Sequence, residues 1–276
     1  MKLVTDNDVL MRYVPNSIKP VAGEISLFEK IEVHLQLAED WLLTYFMPEA
    51  TFTRIASYAD SNPMKHHICQ LVVADALCRA VPSLDLVLTP NGFGVVSTNT
   101  VGAASKQRVD RLIGSLRDIR DNEIEQVLLL LPEAHAWATS SYADFFGATL
   151  FPNIDLVTLC GITSARWDKY LELRSRCISI ELTLAEDYFS PELMSELRHE
   201  FLVGSMNVQR LRLVHAIRSQ VVVLQDKPIN GTRMRDLVNY IRHNPELFPT
   251  WHNSATAQLF SPPKFENKKK SSGYFF

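Results

Sequence analysis

Apolar side chains recur at three- and four-residue steps along most of this chain, and that period limits its fold more than any other feature. Behind Ser26 and Glu29, Phe28, Ile31, Leu35, Ala38, Trp41, Leu42 and Tyr45 fall on one face of a helix. Ser26-x-x-Glu29 is a capping box at its start. Trp41 lies on this stripe and is expected to bury against the next helix. Asn62-Pro63 opens that helix as N-cap and first-turn proline. It carries Ile68, Leu71, Val72, Cys78 and Val81 before Pro82 ends it. Thr5-x-x-Asp8 reads as the cap of a short helix through Tyr13. Ser105 opens a pattern from Val109 to Leu131, one long helix or two, with Asp121-Asn122 as the weak point. Thr163-Ser164 precedes a stripe from Trp167 to Glu181. Ser190-Pro191 opens another helix, which Gly204-Ser205 breaks. Leu211 to Val222 mark the next, and Thr232 caps a last one through Ile241.

Two segments depart from this period. Leu84, Leu86 and Leu88 lead into Thr89-Pro90-Asn91-Gly92 and then Phe93-Gly94-Val95-Val96. Proline fixes φ while Asn and Gly tolerate positive φ, so a β-hairpin is expected over 84–97. From Ser254 to Phe276 no period persists, and Pro262-Pro263, Lys268-Lys269-Lys270 and Tyr274-Phe275-Phe276 suggest an extended arm. Ala134 to Gly161 is irregular and rich in small and aromatic residues, which places a domain boundary or a crossover there. The expected fold is mainly α: helical bundle lobes with one small hairpin and an extended C-terminal arm. The divisions are 1–133, 134–253 and 254–276.

Charge and motif chemistry narrow the function. The net charge of -3 exerts no global pull toward nucleic acid. The opening Met1-Lys2-Leu3-Val4-Thr5-Asp6 has no apolar run after a basic start, so no secretion signal is expected, and no apolar run is long enough for a membrane-spanning helix. Cys69, Cys78, Cys160 and Cys177 show no paired or zinc-type spacing, so reduced thiols are expected. No phosphate-binding glycine loop, HExxH or GxSxG occurs. His66-His67 are adjacent, not four apart, and make poor joint ligands. Arg198-His199-Glu200 reads as a solvated helix face. Neither catalytic residues, nor a cofactor, nor a metal is expected.

The candidate residues are therefore interface residues. Asp85, Pro90, Asn91 and Phe93 sit in the hairpin. Arg108 and Arg111, with Lys106, Arg117 and Arg120, line the helix after it, interleaved with Asp110, Asp118 and Asp121. Such a face is either laced with ion pairs or offers a weak DNA contact. Lys268, Lys269 and Lys270 keep the arm soluble. Tyr274, Phe275 and Phe276 supply apolar area for another chain to cover.

The element order over residues 3–131 resembles the adaptor, or head–tail connector, proteins of tailed bacteriophages. It runs from Leu3-Val4-Thr5 opening a short helix, through a long helix ending in Glu39-Asp40-Trp41-Leu42, to Asn62-Pro63 and the Ile68–Leu77 helix, then a hairpin-like insertion and a charged helix. The string Leu84 to Val96, with Ala104-Ser105-Lys106 and the Gly273–Phe276 ending, is similar to an uncharacterised family carried by phages and prophages of gut bacteria. The resemblance implies a non-enzymatic virion protein, made in the bacterial host cytoplasm. It implies a homo-oligomeric ring whose partners are portal, tail or neck proteins, with no membrane contact. A nucleic-acid-binding protein using the local basic face and a non-viral scaffold are the alternatives.

Overall fold

The computed structural model describes residues 2–14, 25–84, 86–89, 92–95 and 105–261, with backbone only for 86–89 and 92–95. The fold is mainly helical. Helix α1 (Asn7–Met11) is capped by Asp6, which accepts from the Val9 N–H, while Thr5 only donates its hydroxyl to Asp6. The cap thus falls one residue later than the Thr5 pattern suggests, because a carboxylate is the stronger acceptor for orphan amides. Helix α2 (Leu27–Tyr45) begins on the full Ser26–Glu29 capping box. Pro48 precedes α3 (Glu49–Ala56), which the periodicity does not reveal because eight residues hold little more than two turns. Helix α4 (Pro63–Ala80) starts on Asn62, whose side chain accepts from the Met64 and Lys65 amides.

Helix α4 is apolar on nearly every side and lies between α2 and α5 (Lys106–Leu130). A helix apolar all round has to be covered all round. Between α4 and α5, β1 (Leu86–Thr89) and β2 (Gly92–Val95) pair antiparallel, with Leu86 opposite Val95 and Thr89 opposite Gly92. Asp85, Pro90 and Asn91 lie outside the described residues, as does the side chain of Phe93.

Helix α5 is continuous through Asp121-Asn122. Asp121 is no weak point but a buried joint. Its Oδ1 takes two hydrogen bonds from Arg120, and its Oδ2 accepts from the amides of Arg166, at 2.8 Å, and Trp167. These amides start α8 (Arg166–Leu184), preceded by Ala165 in the left-handed region at φ 49°. The side chains of Thr163 and Ser164 therefore do not cap α8; a carboxylate from a different helix does.

The stretch 134–161 contains α6 (Ser141–Gly147) and α7 (Asp155–Leu159) and brings the aromatics together. Trp137, Phe146 and Phe151 are fully buried, and one apolar cluster takes in residues from Leu3 to Ala257. Trp137 Nε1 donates to the Phe46 carbonyl at 2.7 Å and Tyr142 to that of Leu43 at 2.6 Å. Trp41 is only half-buried. Its ring meets Phe46 and stands edge-on to Trp167 of α8 at 6.1 Å. The expectation that it is buried is corrected: it keeps part of its surface exposed, and its ring neighbours are Phe46 and, across from a distant element, Trp167.

Helix α8 runs into a π-turn at Ala185–Phe189, whose Glu186 and Tyr188 carbonyls accept from Thr256 and Trp251. Ser190 then caps α9 (Pro191–Leu202), as its Ser-Pro pair suggests. Helices α10 (Val208–Val223) and α11 (Gly231–Arg242) follow. Asn230, not Thr232, caps α11, since its side chain reaches the Thr232 and Arg233 amides. Two short helices, α12 (Pro249–His252) and α13 (Ala255–Leu259), close the described chain. The arm therefore cannot begin at 254. Ser254 is a buried cap, Thr256 and Ala257 are buried, and Phe260 packs near Tyr188 and Trp251. Residues 262–276, with Lys268, Lys269, Lys270, Tyr274, Phe275 and Phe276, lie outside the described residues.

All four cysteines are free, with Cys69 and Cys177 buried. Burial pushes the Cys69 and Cys78 thiols up to about 11 and the Cys177 thiol up to about 12. Since the thiolate is the reactive form, native protein at pH 8 should alkylate slowly at Cys69 and Cys177. After unfolding without reductant, mass spectrometry should find four modified sites. An intact disulfide would refute the reducing-compartment reading.

Candidate functional site

Three places present chemistry or contact area. The first is a cleft of about 500 Å³ among α5, α7 and α10, lined by Glu125, Asp155, Thr158, His215, Arg218 and Ser219 over an apolar floor. Asp155 and Arg218 form a close ion pair. Arg218 is buried, and its guanidinium lies 4.6 Å from the Phe151 ring centroid and 5.1 Å from that of Phe201. Burial pushes the Asp155 carboxyl above its ordinary range, against the pull of Arg218. Glu125 is held by Arg166 at 3.0 Å. His215 and Ser219 are four residues apart on α10, yet among the described residues no hydrogen bond joins them. The two carboxylates each pair with an arginine, Asp155 joining α7 to α10 and Glu125 joining α5 to α8, while Asp155 Oδ1 is buried without a hydrogen-bond partner among the described residues.

The second place is the outward face of α2. Val33, Leu37, Trp41 and Tyr45 stand at four-residue steps and drift only about 40° per step, so they form one stripe. Val33 is 71% exposed, Leu37 45% and Tyr45 54%. The exposed acids Glu29, Glu32 and Asp40 border it, with Lys30 among them. Single exposed apolar residues need no explanation, but a contiguous stripe does.

The third is the basic start of α5. Lys106, Arg108, Arg111 and Arg117 are exposed. Arg120 is not one of them. It turns inward to Asp121 and to Asp75 of α4, which also holds Arg79 at 2.6 Å. The basic face expected as far as Arg120 thus stops at Arg117, because the last arginine serves the core.

Two other sequence features resolve. His67 is 2.7 Å from Glu123 of α5, and the His66 ring lies tilted against that of Tyr13 at 5.4 Å, so each has its own neighbour. Among the described residues no group of three or more side chains could hold a metal ion. The Arg198–Glu200 segment is not simply solvated. Arg198 pairs at 2.8 Å with the fully buried Glu181 of α8, and Glu200 lies 2.8 Å from Arg210 Nε. Helical periodicity shows that these charges share a face but not which helix covers it. For the same reason neither the cleft residues nor Val33 and Leu37 stand out in sequence. Only the failure of Val33 and Leu37 to match the buried period marks them.

Residues 18–147 match a family of unknown function, DUF6712. That segment runs from before α2 through α6 and contains the α2 stripe and the basic start of α5. Neither a curated protein nor a solved structure matches the chain.

Proposed function

We propose that this chain is a structural component of a tailed-phage virion, a head–tail adaptor or head-completion protein that assembles into a ring through contacts between copies. The observation that carries the reading is the α2 stripe. An apolar strip about 18 Å long from Val33 to Tyr45, at 1.5 Å per residue, is a surface that association would remove from water. The order of elements through α5, which resembles that of connector proteins, supports the virion setting. The β1–β2 segment and residues 262–276 are the further contact elements in this reading. A patch on one copy meeting a different patch on the next closes a ring when the rotation allows.

The test is direct. Particles purified after induction of a phage or prophage that encodes this chain should contain it at a fixed small copy number per particle by quantitative mass spectrometry. Its absence from particles would overturn the virion assignment. In the same preparation, Leu37→Glu should leave the chain folded, since Leu37 is exposed, and should reduce its incorporation at least tenfold.

A further inference from the structure

We infer that the α2 stripe is the receptor for residues 262–276 of a second copy of this chain. The inference specifies the contact behind the proposed ring and rests on that reading for its biological setting, though not for its chemistry.

Charge favours this pairing. Residues 262–276 carry Lys264, Lys268, Lys269 and Lys270 against the single acid Glu266, a net of +3 in a chain whose total is -3. The stripe is bordered by Glu29, Glu32 and Asp40, three exposed acids against the one lysine of this stretch, Lys30. Their carboxylates are exposed, though Glu29 closes the capping box, Glu32 meets Lys2 at 2.7 Å and Asp40 accepts from Gln36. Such surface pairs are weak and exchange partners readily.

Spacing agrees as well. The stripe's apolar centre at Trp41 is about 16 Å along the axis from Lys30, midway between the Glu29 and Glu32 backbones. From Lys269 to Phe275 is six residues, about 20 Å when extended. Tyr274, Phe275 and Phe276 can therefore lie over Leu37, Trp41 and Tyr45 while Lys268, Lys269 and Lys270 reach the acids at the start of α2. Aromatic anchors in an apolar patch with a charged border are a common division of labour in interfaces.

The second copy, not the same one, is favoured by distance. The described chain ends at Ser261, beside Phe260 and Tyr188. The stripe touches α8 at the other end, where Trp41 meets Trp167. Twenty-one residues of helical chain separate Trp167 from Tyr188, about 31 Å. Thirteen residues from Ser261 to Tyr274 span at most about 45 Å. Folding back on its own α2 would take about 31 of those 45 Å in a straight line before any path around the surface, whereas a neighbouring copy imposes no such constraint.

Two full-length variants test this. Leu37→Glu spoils the receptor and Tyr274→Ala/Phe275→Ala/Phe276→Ala spoils the ligand. Each alone should sediment as a monomer with unchanged thermal unfolding, while the unaltered chain associates with rising concentration. Mixed in equal amounts, the two should form a heterodimer and nothing larger, because one intact receptor and one intact ligand remain. A labelled peptide of residues 262–276 should bind the aromatic-deleted chain saturably. Leu37→Glu in that chain should weaken it at least tenfold, and replacing Lys268, Lys269 and Lys270 of the peptide by Glu should do the same. No heterodimer on mixing, or peptide binding indifferent to Leu37→Glu, would overturn the inference. A compact monomer at every concentration whose unfolding temperature falls in both variants would show an intramolecular clasp and overturn it too. None of these readouts depends on finding the protein in virions.

Discussion

Replacing Arg198 by methionine is expected to cost about 3–5 kcal/mol of folding stability at neutral pH, the usual range when one partner of a buried ion pair is lost. Glu181 is fully buried and accepts from the Thr149 hydroxyl at 2.8 Å, the Leu150 amide at 2.9 Å and Arg198 Nε at 2.8 Å. Even with these partners, burial holds its carboxyl above the ordinary glutamate value of 4.5. Between that value and the folded pKa, the folded state keeps a proton that the unfolded state has released. The stability from this group is therefore full below about 4.5 and is lost as pH rises through the folded value. Removing Arg198 takes away a positive charge that favours the carboxylate, so the folded pKa rises further and the loss at neutral pH deepens. Urea unfolding should show a penalty that is largest near pH 7.5 and shrinks as pH falls toward 4.5. The double variant Glu181→Gln/Arg198→Met keeps an acceptor for Leu150 without a charge and should recover most of the loss. A penalty under about 1 kcal/mol at pH 7.5, with no pH trend, would mean that water reaches Glu181.

Local chemistry in this chain is legible from sequence where cap and helix are neighbours. Ser26 with Glu29, Asn62 with Pro63, and Ser190 with Pro191 all cap the helices they precede. The readings that change are those whose answer lies far along the chain. The α8 stripe follows Thr163-Ser164 with no acceptor assigned to its first amides, and that acceptor is Asp121, more than forty residues upstream. Trp41 shares a period with α2's buried side chains, yet its partner is Trp167. Arg120 belongs to a basic stripe until Asp75 and Asp121 are brought beside it. Residues 254–261 lack a long period and so read as arm, but two short helices need only a capping serine and a π-turn with carbonyls to offer. Periodicity gives the face of a helix and not its neighbour. The buried ion pairs and the α2 stripe are set by neighbours, so neither can be read before the helices are placed.

Asp121→Ala should likewise remove about 3–5 kcal/mol, through two losses at once. The first is the cap of α8. The Arg166 amide donates to Asp121 Oδ2 at 2.8 Å, and an alanine offers it nothing. The second is electrostatic. Arg120 is largely buried between Asp121 at 2.9 Å and Asp75 at 3.7 Å, while Asp75 already serves Arg79 at 2.6 Å. Without Asp121, one carboxylate is left to answer two guanidinium groups, and the more buried one is the worse served. Asp121→Asn separates the two effects. It can still accept from the α8 amides but brings no charge to Arg120, so its cost should fall clearly below that of alanine. Hydrogen exchange locates the damage: in Asp121→Ala the first-turn amides of α8, Arg166 and Trp167, should lose protection ahead of the rest of that helix. In Asp121→Asn they should stay close to the unaltered protein. The joint also links α5, inside the segment that matches DUF6712, to α8 beyond it. Both segments share one apolar cluster, so chemical unfolding of Asp121→Ala should remain a single transition at lower denaturant, with Trp167 fluorescence and circular dichroism changing together. If α8 melts first as a separate step, the aromatics of 134–161 do not hold the two segments together, and Asp121 alone does.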